Sequence, residues 1–136
     1  MRNLLSLVSK IHEKGNRFIV EMLSKNGADG LAPSHGDILV CLYTKDRMTM
    51  KEIADKINRT KPTVTVLVDK LEKLGYLKRE ASKEDSRYTY ILLTEKGKMF
   101  KPVFEKISND LNKMLFENLS DKEADNLENL LSKIIK

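Results

Sequence analysis

The segment Asn58-Arg59-Thr60-Lys61-Pro62-Thr63-Val64-Thr65 crowds two cations and three threonines around what reads as a helix start. A helix start exposes unpaired N–H groups and a positive field, and Arg59 and Lys61 add to it. Such cations neutralise phosphates, while threonine hydroxyls bond phosphates or base edges and threonine methyls touch the thymine methyl. Further along, Ser82-Lys83-Glu84-Asp85-Ser86-Arg87 is a polar stretch between two apolar runs. An arginine at a loop tip suits a narrow minor groove, where the potential is strongly negative. Asp85, two residues before Arg87, accounts for acid in such a loop, because it can hold the guanidinium in a charge-assisted pair. The candidate nucleic-acid contacts are therefore Arg59, Thr60, Lys61, Thr63 and Thr65 on a helix, and Lys83, Asp85, Ser86 and Arg87 on a loop. The plainer readings are a solvated helix start and a charged turn whose surface ion pair contributes little.

Charge is distributed to match. The chain has 136 residues and a net charge of +5. Residues 45–87 hold 12 Lys/Arg against 8 Asp/Glu, and all the others together hold 13 against 12. The excess thus lies in the central third, where a polyanion would be met.

Other chemistries find little support. Cys41 is the lone cysteine, so an intrachain disulfide is excluded. It lies between Val40 and Leu42 with no cation beside it in sequence, which reads as a buried structural thiol rather than a peroxide sensor. His12 and His35 are the only histidines, and no H-E-x-x-H or C-x-x-C spacing occurs, so no metal is expected. There is no Gly-rich phosphate loop and no G-x-S-x-G, and neither an enzyme nor a cofactor is expected. No run approaches the ~18 apolar residues of a membrane span, and the N-terminus lacks an apolar leader core. A cytoplasmic protein with no membrane partner is the expectation.

The elements that must position these residues follow from periodicity. Leu4, Val8, Ile11, Phe18 and Met22 mark a first helix, and Asn26 to Gly30 a turn. Pro33 opens a second helix, which Lys45-Asp46-Arg47 ends. Thr49-Met50-Lys51-Glu52 is a capping box opening a short third helix. After the turn Asn58-Arg59-Thr60, a fourth helix carries Val64, Leu67, Val68, Leu71 and Leu74 inward and stops at Gly75. Residues 76–80 and 88–93 read as two strands of a hairpin. One helix then runs on from Thr94 through Phe100, Val103, Phe104, Ile107, Leu111, Met114 and Leu115, and a last one starts at the box Ser120-Asp121-Lys122-Glu123. The fold class is mostly α with a small antiparallel β-ribbon: a winged helix-turn-helix with N- and C-terminal dimerisation helices. Residues 1–136 form one domain, with a head at 32–94 and dimerisation helices at 1–25 and 95–136. A head this small cannot cover every apolar stripe on those helices, so a second copy is the expected cover, the plainer alternative being that they pack on one another within one subunit.

The run Leu67-Val68-Asp69-Lys70-Leu71-Glu72-Lys73-Leu74-Gly75-Tyr76-Leu77-Lys78-Arg79, then Asp85-Ser86-Arg87, then Leu92-Leu93-Thr94-Glu95-Lys96-Gly97 resembles the signature of the MarR-type regulators, the multiple-antibiotic-resistance regulator family. The shared pattern is roughly L-V-D-x-L-E-x-x-G-x-x-x-R, D-x-R and L-T-x-x-G, in order and with compatible gaps. The resemblance implies a homodimer with interdigitated terminal helices. It implies a pseudo-palindromic operator on double-stranded DNA, with Arg87 in a minor groove, and repression as the commoner outcome. It implies a small aromatic or phenolic ligand that changes head spacing. His35, Leu39 and Tyr43 are the candidate pocket for it, although His35, near a helix start, reads first as a helix-end polar residue. The chain departs from the pattern at Val66, where the family often has Arg, at Ala32 for a capping Thr or Ser, and at Pro62 for Ser. Base specificity therefore does not transfer. The rival function is a winged-helix module for protein–protein contact, which would lack salt-dependent, sequence-selective DNA binding.

Overall fold

The computed structural model describes residues 1–136. Seven helices and three strands follow in the order α1 (Leu4–Lys25), α2 (Pro33–Thr44), β1 (Arg47–Thr49), α3 (Met50–Ile57), α4 (Lys61–Lys73), β2 (Leu77–Ala81), β3 (Thr89–Leu93), α5 (Glu95–Met99), α6 (Lys101–Phe116) and α7 (Asp121–Ile135). The strands form one antiparallel sheet in the order β1-β3-β2, with Met48 opposite Ile91 and Arg79 opposite Ile91 on the other side.

The mostly helical winged architecture is the one expected, with two differences. Lys45-Asp46-Arg47 ends α2 as expected, but leads into β1, an unexpected third strand on the free edge of the hairpin. Three residues are too few to display an alternating pattern, and only Met48 of the three is buried. The helix expected to run from Thr94 is broken at Phe100, which caps the end of α5 and the start of α6. Pro102 is the cause: it has no N–H to continue the ladder and fits only a first turn.

Local chemistry sets most of the other boundaries. Thr49 accepts from the Glu52 N–H at 3.2 Å, and Glu52 accepts from the Thr49 N–H at 3.1 Å, closing the expected box. Asn58 takes the left-handed conformation between α3 and α4 at φ 56°. After α4, Gly75 does so at φ 90°, while the N–H groups of Tyr76 and Gly75 donate to the carbonyls of Leu71 and Glu72 at 2.9 and 3.0 Å. This paired termination needs a residue without a Cβ penalty. Ala32 has no hydroxyl to cap α2. Instead the His35 ring Nδ1 accepts from the Ala32 N–H at 2.9 Å, doing what a capping glutamate does.

The core lies where α2, α3, α4 and the sheet meet, and Ile38, Leu39, Ile53, Val64, Val68, Leu71 and Ile91 are its least exposed members. Outside the head, α1 packs on α6, but residues 1–14 of the chain are exposed throughout. No residue of α7 is buried, and α7 has no substantial packing partner in its own chain. No helix is long and apolar enough to cross a membrane.

Two stability effects follow. A Cβ on Gly97 would lie 2.3 Å from the Tyr76 carbonyl oxygen, so α5 reaches the α4–β2 turn only because residue 97 is glycine. Gly97→Ala should cost about 1–3 kcal/mol in urea titration with an unchanged slope; a negligible loss would mean that α5 yields freely. His35 is only 6% exposed, and its pKa is lowered by burial first and by the nearby Lys70 ammonium second. The unfolded chain then binds the proton at higher pH, so the His35 contribution is complete above about pH 6.5 and is lost as pH falls through the lower folded value. Urea midpoints should fall across that window, and His35→Gln should flatten the fall; identical pH slopes would remove His35 as its source.

Candidate nucleic-acid interface

Residue spacing alone presents the start of α4 to solvent. Val64, Val68 and Leu71 are buried on one stripe, which turns Pro62, Thr63 and Val66 outward. Thr60 caps the helix by accepting from the Thr63 N–H at 3.3 Å, and its hydroxyl donates to Thr63 Oγ1 at 2.9 Å. The Thr65 hydroxyl donates to the Lys61 carbonyl at 2.9 Å. No acid lies in the first turn, and Arg59 and Lys61 are exposed without an ion-pair partner, so the helix end keeps its positive field. The five residues expected here are thus brought together, although two of the three hydroxyls spend their protons inside the helix.

The hairpin loop is built around Asp85. Ser82 is buried, donates its N–H to the Tyr88 carbonyl at 3.0 Å, and accepts from the Asp85 N–H at 3.2 Å. One Asp85 oxygen accepts from the Arg87 N–H at 3.1 Å and from Arg87 Nε at 3.0 Å; the other accepts from Nη2 at 2.7 Å. These bonds hold the Asp85 carboxyl below its ordinary range and push the Arg87 guanidinium up, so both stay charged. The Arg87 side chain is nevertheless 83% exposed. Asp85 therefore aims Arg87 without hiding it. Lys83 and Ser86 are exposed beside it, with no side-chain bond.

One contributor had no assigned role in the sequence reading. Arg79 on β2 pairs with Asp69 and, at 3.2 Å, with Glu72, both on α4. It ties the hairpin to the helix and neutralises the two carboxylates nearest the outward face. The sequence signal was an acid pair at helical i, i+3 spacing with a cation on the following strand. At the other flank, Lys70 donates to the Gly30 carbonyl, and Lys96 donates to the Leu74 carbonyl at 2.7 Å while lying 4.5 Å from the Tyr76 ring centre.

The three residues expected to line a ligand pocket lie along one face of α2. Leu39 is core at 1% exposure. Tyr43 donates its hydroxyl to the Gly97 carbonyl at 3.0 Å, and burial pushes its pKa up to about 12. None of the three borders the apolar cleft of about 210 Å³ between α1, α2 and α6, whose walls include Ile19, Leu23, Gly36, Phe104, Ile107 and Leu111. Cys41 is buried, and that burial raises its thiol pKa, the opposite of a reactive thiolate.

Comparison with known proteins completes the picture. The sequence profile of the MarR family matches residues 31–89, from just before α2 to the first residue of β3. The HTH-type transcriptional regulator PapX of Escherichia coli is 30% identical over 134 residues, 97% of this chain and 80% of PapX. The HTH-type transcriptional regulator SarZ of Staphylococcus haemolyticus is 34% identical over 100 residues, 72% of this chain and 65% of SarZ. A MarR transcriptional regulator from Methanosarcina mazei has the same fold, with a TM-score of 0.84 at 24% identity over 97% of this chain and 93% of that one. So has a mutant MarR from E. coli complexed with operator DNA, with a TM-score of 0.84 at 23% identity over 98% and 94%. On this head, this hairpin and a relative that matches almost the whole of this chain, the chain belongs to the MarR family of winged-helix transcriptional regulators, not to any class of enzyme.

Proposed function

We propose that the protein is a cytoplasmic homodimeric repressor of transcription that binds a pseudo-palindromic operator. The observation that carries this reading is the Asp85-held Arg87 on its exposed loop, in the same head as a threonine-capped helix start with no acid in its first turn. In this reading α4 enters a major groove, with Arg59, Thr60, Lys61, Thr63 and Thr65 at the front, and Arg87 enters the flanking minor groove with Lys83 and Ser86 on phosphates. The E. coli MarR complexed with operator DNA supports it by shape.

Residues 32–94 are the head, and 1–25 with 95–136 are the dimerisation helices. Leu5 at 84% and Ile135 at 83% exposure lie on stripes with Val8, Ile11, Leu127, Leu130 and Ile134. Two such stripes, one on the exposed first half of α1 and one on α7, favour a second copy as their cover. Twofold symmetry then places the half-sites about one helical turn, roughly 10 base pairs, apart. A small aromatic ligand would enter the cleft between α1, α2 and α6, where dimer helices meet head. It acts only if it prefers one head spacing, because equal affinity for both shifts nothing.

Genomic fragments selected by the full chain should share a paired motif, bound by a dimer, with affinity falling steeply as salt rises. Arg87→Ala should lower operator affinity about tenfold or more, the loss of one charge-assisted contact, without lowering the urea midpoint. Lys61→Ala should flatten the logarithmic salt slope by about one unit. A strict monomer, or equal affinity for every duplex, would overturn the proposal and favour a protein–protein module.

A further inference from the structure

We infer that the first two turns of α4 read thymine 5-methyl groups, with Val66 as the specificity-determining residue. This rests on α4 being the recognition helix and names what it recognises. Base edges in the major groove are read in few ways: Arg or Lys on guanine, Asn or Gln on adenine, Asp or Glu on cytosine, and apolar groups on the thymine methyl. From Lys61 to Val68 the helix carries no Arg, Asn, Gln, Asp or Glu. Lys61 stands three residues before the buried Val64, about 60° round the helix from it, on the flank rather than the outward ridge. The next acid, Asp69, is engaged by Arg79. The Thr60 and Thr65 protons are committed to Thr63 Oγ1 and the Lys61 carbonyl, which leaves one free hydroxyl proton, on Thr63.

What remains outward is apolar. Val66 stands two residues past Val64, about 200° round the helix, directly opposite the buried stripe. It is 69% exposed. Pro62, one turn earlier, and the Thr63 methyl continue the ridge. The thymine 5-methyl is the one apolar group that a base pair shows in the major groove, and an uncharged apolar ridge is what would take it.

The test uses the operator selected by the full chain, with each half-site thymine replaced in turn by deoxyuridine. That change removes one methyl from the major groove and leaves base pairing and the minor groove intact. At one or two positions per half-site the affinity should fall about fourfold, the equivalent of ~0.8 kcal/mol per buried methyl. Val66→Ala, which shortens an exposed side chain, should shrink that penalty to about twofold or less. Deoxyuridine tolerated at every thymine, with sequence preference kept, overturns methyl readout but not the regulator. A penalty of full size in Val66→Ala overturns the assignment to Val66. Absence of any preferred sequence overturns both readings together.

Discussion

Where α4 turns into β2, the backbone of Leu74, Gly75 and Tyr76 is gripped from every side. The left-handed Gly75 closes α4, the Thr94 hydroxyl donates to the Gly75 carbonyl, and Lys96 donates to the Leu74 carbonyl. The Tyr76 carbonyl accepts from the Thr94 N–H at 3.0 Å and lies against Gly97. Helix, both long strands and α5 are thereby joined within a few residues. Each bond contributes about 1 kcal/mol, but together they fix the angle at which helix and hairpin leave the head. The Phe100 ring completes the junction, packing edge-on against Tyr76 with centroids 5.5 Å apart.

The charge pattern makes sense against this rigidity. Several cations are spent on geometry: Arg79 on Asp69 and Glu72, Lys70 on Gly30, Lys96 on Leu74. Others, Arg59, Lys61 and Lys83, are left unpaired around the proposed interface. Net charge alone does not distinguish the two groups, because a paired cation adds little field beyond its partner. Arg87 combines both properties: paired with Asp85 and still open to solvent.

The head is finished within one chain and the extensions are not. Its core residues are almost wholly excluded from water, each worth about 1.5–3 kcal/mol, whereas the apolar stripe of α7 is uncovered along its length. In the proposed dimer, the separation of the two heads would depend on what packs between the terminal helices, which is the coupling the proposed regulation requires.

Much of this was legible before any coordinates. Capping boxes at Thr49 and Ser120, the stop at Gly75, the apolar stripe of α4 and the Asp85–Arg87 pair are all local, set by side chains within a few residues of the backbone or partner they bond. The winged order of elements followed from them, and so did the candidate helix and loop residues. The rest depends on parts of the chain far apart in sequence. β1 exists because β3 offers it an edge, and Gly97 is obligatory because Tyr76 arrives beside it. Arg79 acquires its role from α4, and the cleft between α1, α2 and α6 is bordered on α2 by Pro33, Gly36 and Asp37, which only the packing of those three helices decides. The sequence by itself determined the elements, their ends and which cations stand near the turn and loop, since these depend on short-range hydrogen bonding and helical period. Only the tertiary structure decided which polar groups are spent inside the molecule and which remain free, because that depends on what each meets across the fold.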